Sequence, residues 1–197
     1  MNIVFSSTKS LILCGIAGAT LFGINFIPAQ LLTGLGAGAA VGAIWGGLTA
    51  PFIMASVALI TGRIGAITIT YMVYSVFAIP TFVMGPPHPY KPLLALLAGI
   101  SYDLAMTLVG GVRPRGLFVG FTVFTAVSLF IYLEAFRILN LPGLEKLQAS
   151  IYYFGIAFLA LGYLGTTIAL GVYKKLKDNP FIRSYKQTTE VTGTKDE

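Results

Sequence analysis

The sequence predicts an all-α membrane protein, a bundle of six transmembrane helices with both termini in the cytoplasm. Three observations carry that reading. Hydrophobic residues make up 56% of the chain and charged residues 10%, against roughly 25% charged residues in a soluble domain. The mean hydropathy is +0.83. The few charges also fall between long uncharged runs: Leu11 to Gly62 and Ile64 to Tyr90 contain no Asp, Glu, Lys or Arg. A chain of 197 residues with so few charges cannot cover the surface of a soluble fold. This composition argues against a cytosolic enzyme, a disordered chain and a nucleic-acid-binding domain, and for membrane lipid as the surrounding partner.

A span needs about 20 apolar residues. The first uncharged run is too long for one span and long enough for two, with Pro28 and Gly34-Leu35-Gly36 as the break. The second run ends in the turn-rich Gly85-Pro86-Pro87-His88-Pro89, and Gly110-Gly111-Val112-Arg113-Pro114-Arg115 is a further loop. The stretch from Leu139 to Ala149, with Pro142, Gly143, Glu145 and Lys146, reads as a loop or a short interfacial helix. The expected spans are therefore about 8–27, 36–61, 64–84, 91–110, 116–136 and 150–173 within a transmembrane domain of residues 1–175. Ala17-Gly18-Ala19 resembles a signal-peptide cleavage site, but the apolar stretch before it is short and the apolar character continues to Ile27, so the first span is expected to be retained.

Orientation follows from the short-loop cations. One side gathers Lys9, Arg63, Arg113, Arg115 and the basic tail of residues 176–197; the other has Lys91, Arg137 and Lys146. The net charge of +6 owes much to Lys174, Lys175, Lys177, Arg183, Lys186 and Lys195. Such a tail is a topology signal and a contact for anionic headgroups. From Asn179 onward it reads as polar and disordered. The single cysteine, Cys14, has no disulfide partner and reads as a small core residue.

Small residues recur at a spacing of four. The first span has Gly15, Ala19 and Gly23; the second region has Gly34, Gly38, Gly42 and Gly46. On a helix each set lies on one face and lets another backbone approach. Either the bundle packs on these faces or a partner membrane subunit docks there. Pro51 lies inside the second span and is expected to kink it.

Two acids lie within or at the ends of the spans. Asp103 sits deep in the fourth span, where a carboxylate is either functional or a structural partner of Arg113, Arg115, Arg63 or a helix end. Glu134 lies near the outer end of the fifth span, three residues before Arg137. It reads as an interfacial ion pair or as the anchor of a ligand, with Tyr132, Tyr152, Tyr153, His88, Tyr90 and Asn25 at the same level. An aromatic belt also explains such tyrosines. Trp45 is either core packing or a stacking surface. No metal helix, nucleophile elbow or phosphate loop is present in the sequence, so no enzyme activity, metal or cofactor is expected.

Gly85-Pro86 before Lys91-Pro92, followed by Gly99 and Asp103, resembles the Gly-Pro turn and Gly-x-x-x-Asp helix of the substrate-binding S components of energy-coupling-factor (ECF) vitamin transporters. Gly15-x-x-x-Ala19 stands where that family carries an Ala-x-x-x-Ala face on its first helix, with Gly in place of the first Ala. The resemblance implies a substrate loaded from outside, a transmembrane coupling subunit docked on the first helix, and two ATPase subunits that supply the energy. A cationic or electron-poor ring suits Glu134 and tyrosines, so thiamine or its pyrimidine precursor is the expected substrate class. The rival readings are an ion-coupled transporter or channel using Asp103, and a non-catalytic membrane subunit of a larger complex.

Overall fold

The computed structural model describes residues 7–34, 38–140, 144–180 and 182–183, without the side chains of 31–34, 38–43 and 146–147. These residues form six α-helices: α1 (Thr8–Gly34), α2 (Gly38–Thr61), α3 (Ala66–Ala78), α4 (Tyr90–Leu108), α5 (Pro114–Ile138) and α6 (Leu144–Leu176). Five are long and apolar enough to cross a membrane, which makes the chain a multi-pass membrane protein by length and composition. Helices are what such a composition must form, because a chain in hydrocarbon has to satisfy its backbone polar groups internally.

The helices close a ring. α1 packs on α2 and α3, α2 on α6, α6 on α5, α5 on α4, and α4 on α3. Close approach is set by small residues on the inward faces. Gly18 of α1 lies against the Thr70 carbonyl and Val73 of α3, Gly165 of α6 against the backbone of Leu48 and Phe52, and Gly120 of α5 against the Tyr102 ring. Cys14 is buried in the core, as its size suggests. Gly34, Gly38 and Gly42 of the second small-residue set lie outside the described side chains, as Lys186 and Lys195 lie outside the described residues.

The boundaries differ from expectation in three places. α1 does not stop near 27 but runs through Pro28 to Gly34. Proline has no N–H to give the carbonyl four residues back, which here is Ile24. The indole Nε1 of Trp45 donates to the Ile24 carbonyl at 3.1 Å, so α2 supplies the missing donor. At the other end of the chain, α6 starts at Leu144, and what reads as a loop or interfacial helix is its first turns.

The third difference is the largest. The expected span 64–84 contains a helix of only 13 residues, Ala66–Ala78. At roughly 1.5 Å per residue it is about 20 Å long, short of a hydrocarbon core of about 30 Å. Residues 79–89 continue as irregular backbone. Irregular backbone at such depth needs protein partners for its polar groups, and the partner is Lys91. This side chain is fully buried, and its Nζ donates to the carbonyls of Ala78, Thr81 and Val83 at 2.8, 2.6 and 2.7 Å. Lys91 is therefore not an exposed loop cation, and it carries no weight in an orientation argument.

Candidate functional site

At the end of the bundle where α3 ends and α4 begins, four tyrosines and two phenylalanines converge. Tyr71 and Tyr74 come from α3, Tyr90 from α4, and Phe124, Tyr132 and Phe136 from α5. Tyr71 and Tyr74 stack with centroids 5.6 Å apart, and Tyr71 meets Phe124 edge-on at 5.0 Å. Tyr132 stacks on Phe136 at 5.2 Å and meets Tyr90 edge-on at 6.1 Å. Periodicity makes the cluster: Tyr71 and Tyr74 share one face of α3, and Tyr132 and Phe136 share one face of α5.

The 79–89 segment is fastened to this cluster. Met84 and Gly85 both have left-handed backbone, with φ of 60° and 86°. Gly85 lies so close to the Tyr132 hydroxyl that a methyl group there would overlap it. The Tyr90 hydroxyl donates to the Met84 carbonyl at 3.2 Å, holding a methionine in a conformation that costs roughly 1–2 kcal/mol. The Tyr90 N–H donates to Nδ1 of His88 at 3.2 Å, and the two rings lie 5.4 Å apart. Tyr132, Tyr90 and His88, named from sequence, thus come together here. Tyr71, Tyr74 and Phe124 join them without having been singled out. Their signal was available: two tyrosines three residues apart, midway along an uncharged run and away from either expected interface.

The other sequence candidates lie elsewhere. Glu134 is two residues from Tyr132, which on a helix turns it to nearly the opposite side. Its carboxylate is 40% exposed and 4.0 Å from Arg137, an ion pair on the surface of α5. Tyr152 and Tyr153 are 80% and 78% exposed on α6. Asn25 is buried between α1 and α2, its Nδ2 donating to the Leu21 carbonyl at 2.8 Å and to Thr49 Oγ1 at 3.1 Å. Together with Trp45 it pins α1 to α2.

Asp103 faces the opposite end of α3. It is buried, and its Oδ2 accepts from the Thr68 N–H at 2.9 Å and from Thr68 Oγ1 at 2.6 Å. Thr68 is the third residue of α3, whose Gly65 cap offers no side-chain acceptor. Asp103 takes over the capping role from a neighbouring helix. Arg113 and Arg115 are exposed at the corner between α4 and α5.

The small residues of α1 divide by face. Gly18 is packed inside the ring, whereas a methyl group added at Gly15 or Gly23 would meet no other group. Ala19 is exposed between them, with Ile12, Ile16, Ile24 and Ile27 alongside.

Chemically, the tyrosine cluster is a largely buried set of rings and phenol hydroxyls packed on one another beside a segment of left-handed backbone. No group of three or more potential metal ligands occurs among the described residues. Comparison of the chain with protein-family models, with curated proteins and with solved structures finds no match.

Proposed function

We propose that this chain is the substrate-binding membrane subunit of an ECF-type uptake system, working with a transmembrane coupling subunit and partner ATPase subunits, and not itself an enzyme. The observation that carries the reading is the bare face of Gly15, Ala19 and Gly23 on α1. A bundle packing only on itself has no need of a smooth small-residue strip on its outside, whereas a second membrane helix approaching closely does. The orientation that goes with it places both termini in the cytoplasm. Lys9, Lys174 and Lys175 share their end of the bundle with Arg113 and Arg115. With the Lys91 ammonium occupied by carbonyls, Arg137 is the one exposed lysine or arginine described at the other end. That end, with its tyrosines, is then the outward one.

The substrate class that suits the cluster is a small planar vitamin-like molecule. Thiamine or its pyrimidine precursor leads, held by ring faces and phenols. The ion-coupled reading rests on Asp103, whose Oδ2 caps α3 while its buried Oδ1 makes no hydrogen bond to the described residues.

The test is uptake of labelled thiamine and of its pyrimidine precursor into cells that express the chain with or without an ECF coupling subunit and its ATPases. Uptake that requires all the components, and that is lost in Ala19→Leu, is expected. Uptake independent of the ATPases, or equal in Ala19→Leu, would overturn the assignment. No uptake, with no small molecule released from the purified chain, would favour a non-catalytic membrane subunit.

A further inference from the structure

We infer that the corner between α4 and α5 is a seat for an anionic phospholipid, its phosphate held by Arg113 and Arg115 and an acyl chain laid along α4. A cavity of about 400 Å³ opens at this corner, lined by Val109, Arg113, Pro114 and Arg115. It is an open cleft at the surface rather than an enclosed pocket, as a lipid headgroup arriving from the membrane edge requires. Both arginines are exposed, and among the described residues neither pairs with an acid; the ion pairs there are Arg137 with Glu134 and Arg183 with Asp178. Arginine presents a planar, weakly hydrated fork, which suits a phosphate held at the edge of a membrane.

The corner is built rather than loose. The Val109 N–H donates to the Ala105 carbonyl at 3.2 Å, the Gly111 N–H to Met106 at 2.9 Å, and the Arg113 N–H to Gly111 at 2.7 Å. Gly110 and Gly111 have φ of 108° and 78°, which the reversal requires. A Cβ on Gly116 would overlap the Gly111 carbonyl, so the turn sits directly on the first turn of α5. The arginines therefore project from a fixed wall.

The second half of the site is apolar. Leu97, Ile100, Leu104 and Leu108 recur every three or four residues and are 44%, 48%, 57% and 77% exposed. They form one ridge of α4 that faces away from the core, and the ridge ends one residue before Val109 of the cavity wall. A cationic cavity at the end of a hydrocarbon ridge matches a molecule with an anionic head and a long chain. A soluble anion would use only the cavity. Lys9, Lys174 and Lys175 add positive field at the same end of the bundle.

Native mass spectrometry of the detergent-purified chain, titrated with phosphatidylglycerol or phosphatidylcholine, tests the site. Retention of phosphatidylglycerol in preference to phosphatidylcholine is expected. Each arginine near a membrane surface contributes about fivefold, so Arg113→Gln with Arg115→Gln should lower retention by roughly twenty-five-fold. Lys174→Gln with Lys175→Gln should change it by less than about threefold, since those side chains do not line this cavity and act on the phosphate only through a field that salt screens over about 10 Å. Equal losses in the two double variants would overturn the site in favour of diffuse attraction, as would equal retention of the two lipids. Displacement of phosphatidylglycerol by an equal concentration of glycerol 3-phosphate would reassign the cavity to a soluble phosphate. Both arginine side chains are exposed, so the variants should keep their helical circular dichroism. If the double variant unfolds, Arg115→Gln alone should still show the fivefold loss, and its absence would overturn the site.

Discussion

Lys91 and Asp103 hold the two ends of α3 from a single neighbouring helix. The Lys91 ammonium binds carbonyls at and just beyond the C-terminus of α3, and the Asp103 carboxylate binds the N–H of its third residue. The signs match the helix dipole, cation at the carbonyl end and anion at the amide end. The spacing matches as well. Twelve residues of α4 span about 18 Å, close to the length of a 13-residue helix. A helix too short to reach both membrane surfaces cannot rely on water to satisfy its ends, and α4 supplies the donors and acceptors instead.

Removing either clamp should therefore destabilise the bundle, and unequally. Lys91→Met leaves three carbonyls without their shared donor, at about 1–3 kcal/mol for each group left unsatisfied. A loss of about 3 kcal/mol or more is expected, with early protease cleavage in residues 79–89. Asp103→Asn keeps an acceptor for Thr68, gives up the charge and exchanges the unpartnered buried Oδ1 for an amide NH2, which should cost about 1 kcal/mol. Thermal unfolding in detergent measures both. A Lys91→Met variant that melts like the parent chain would show that the carbonyls find other donors.

The Trp45 contact makes a second prediction, through a pair of substitutions. Trp45→Phe removes the indole N–H and leaves the Ile24 carbonyl without a donor, a loss of about 1 kcal/mol or more. Pro28→Ala restores a backbone N–H four residues beyond Ile24. In that background the hydrogen-bond part of the Trp45→Phe cost should vanish. Additive effects in the double variant would mean that Trp45 contributes packing alone.

That the chain folds into long apolar helices could be read from hydropathy, because burial in a membrane imposes long uncharged runs. Lys91 could not be placed that way. An exposed loop lysine and a lysine that chelates three carbonyls have the same local sequence, and carbonyl acceptors leave no side-chain signature. Pro28 misled for a related reason: the donor that keeps α1 intact comes from another helix. Glu134 and Tyr132 are neighbours in sequence, but helical rotation separates them, and the sequence shows that only once the inward face of α5 is known. The tyrosines of α3 were legible by position, since a tyrosine deep in a span has no interface to reach.

Ligand binding should follow the tyrosine cluster rather than the exposed carboxylate. On the proposed reading, Tyr74→Phe or Tyr132→Phe removes one hydroxyl hydrogen bond, about 0.5–1.5 kcal/mol, and weakens thiamine or pyrimidine binding by roughly twofold to tenfold. Tyr132→Leu removes the ring as well and should weaken it further. Glu134→Gln should change affinity by less than about threefold, because a half-exposed pair at 4.0 Å contributes little. Calorimetric titration of the three sites decides. A tenfold to hundredfold loss in Glu134→Gln with no effect at Tyr132 would move the site to the outer surface of α5.

Two faces of α1 should respond differently to the same added bulk. Gly18 is pressed against the Thr70 carbonyl and Val73, so Gly18→Leu must push α1 away from α3, and overpacking of this kind costs about 1–3 kcal/mol or more. Ala19 is its neighbour in sequence but is exposed, and Gly15 has open space in front of it. Ala19→Leu and Gly15→Leu should leave the thermal transition and ligand affinity of the isolated chain unchanged while blocking close approach of a second helix. The expected pattern is therefore a folding defect at Gly18 and a coupling defect at Gly15 and Ala19. Melting of each variant in detergent, set beside the yield of complex when it is co-expressed with a coupling subunit, separates the two. If Ala19→Leu assembles as well as the parent chain, the bare strip faces only lipid, and the coupling-subunit assignment that rests on it is overturned.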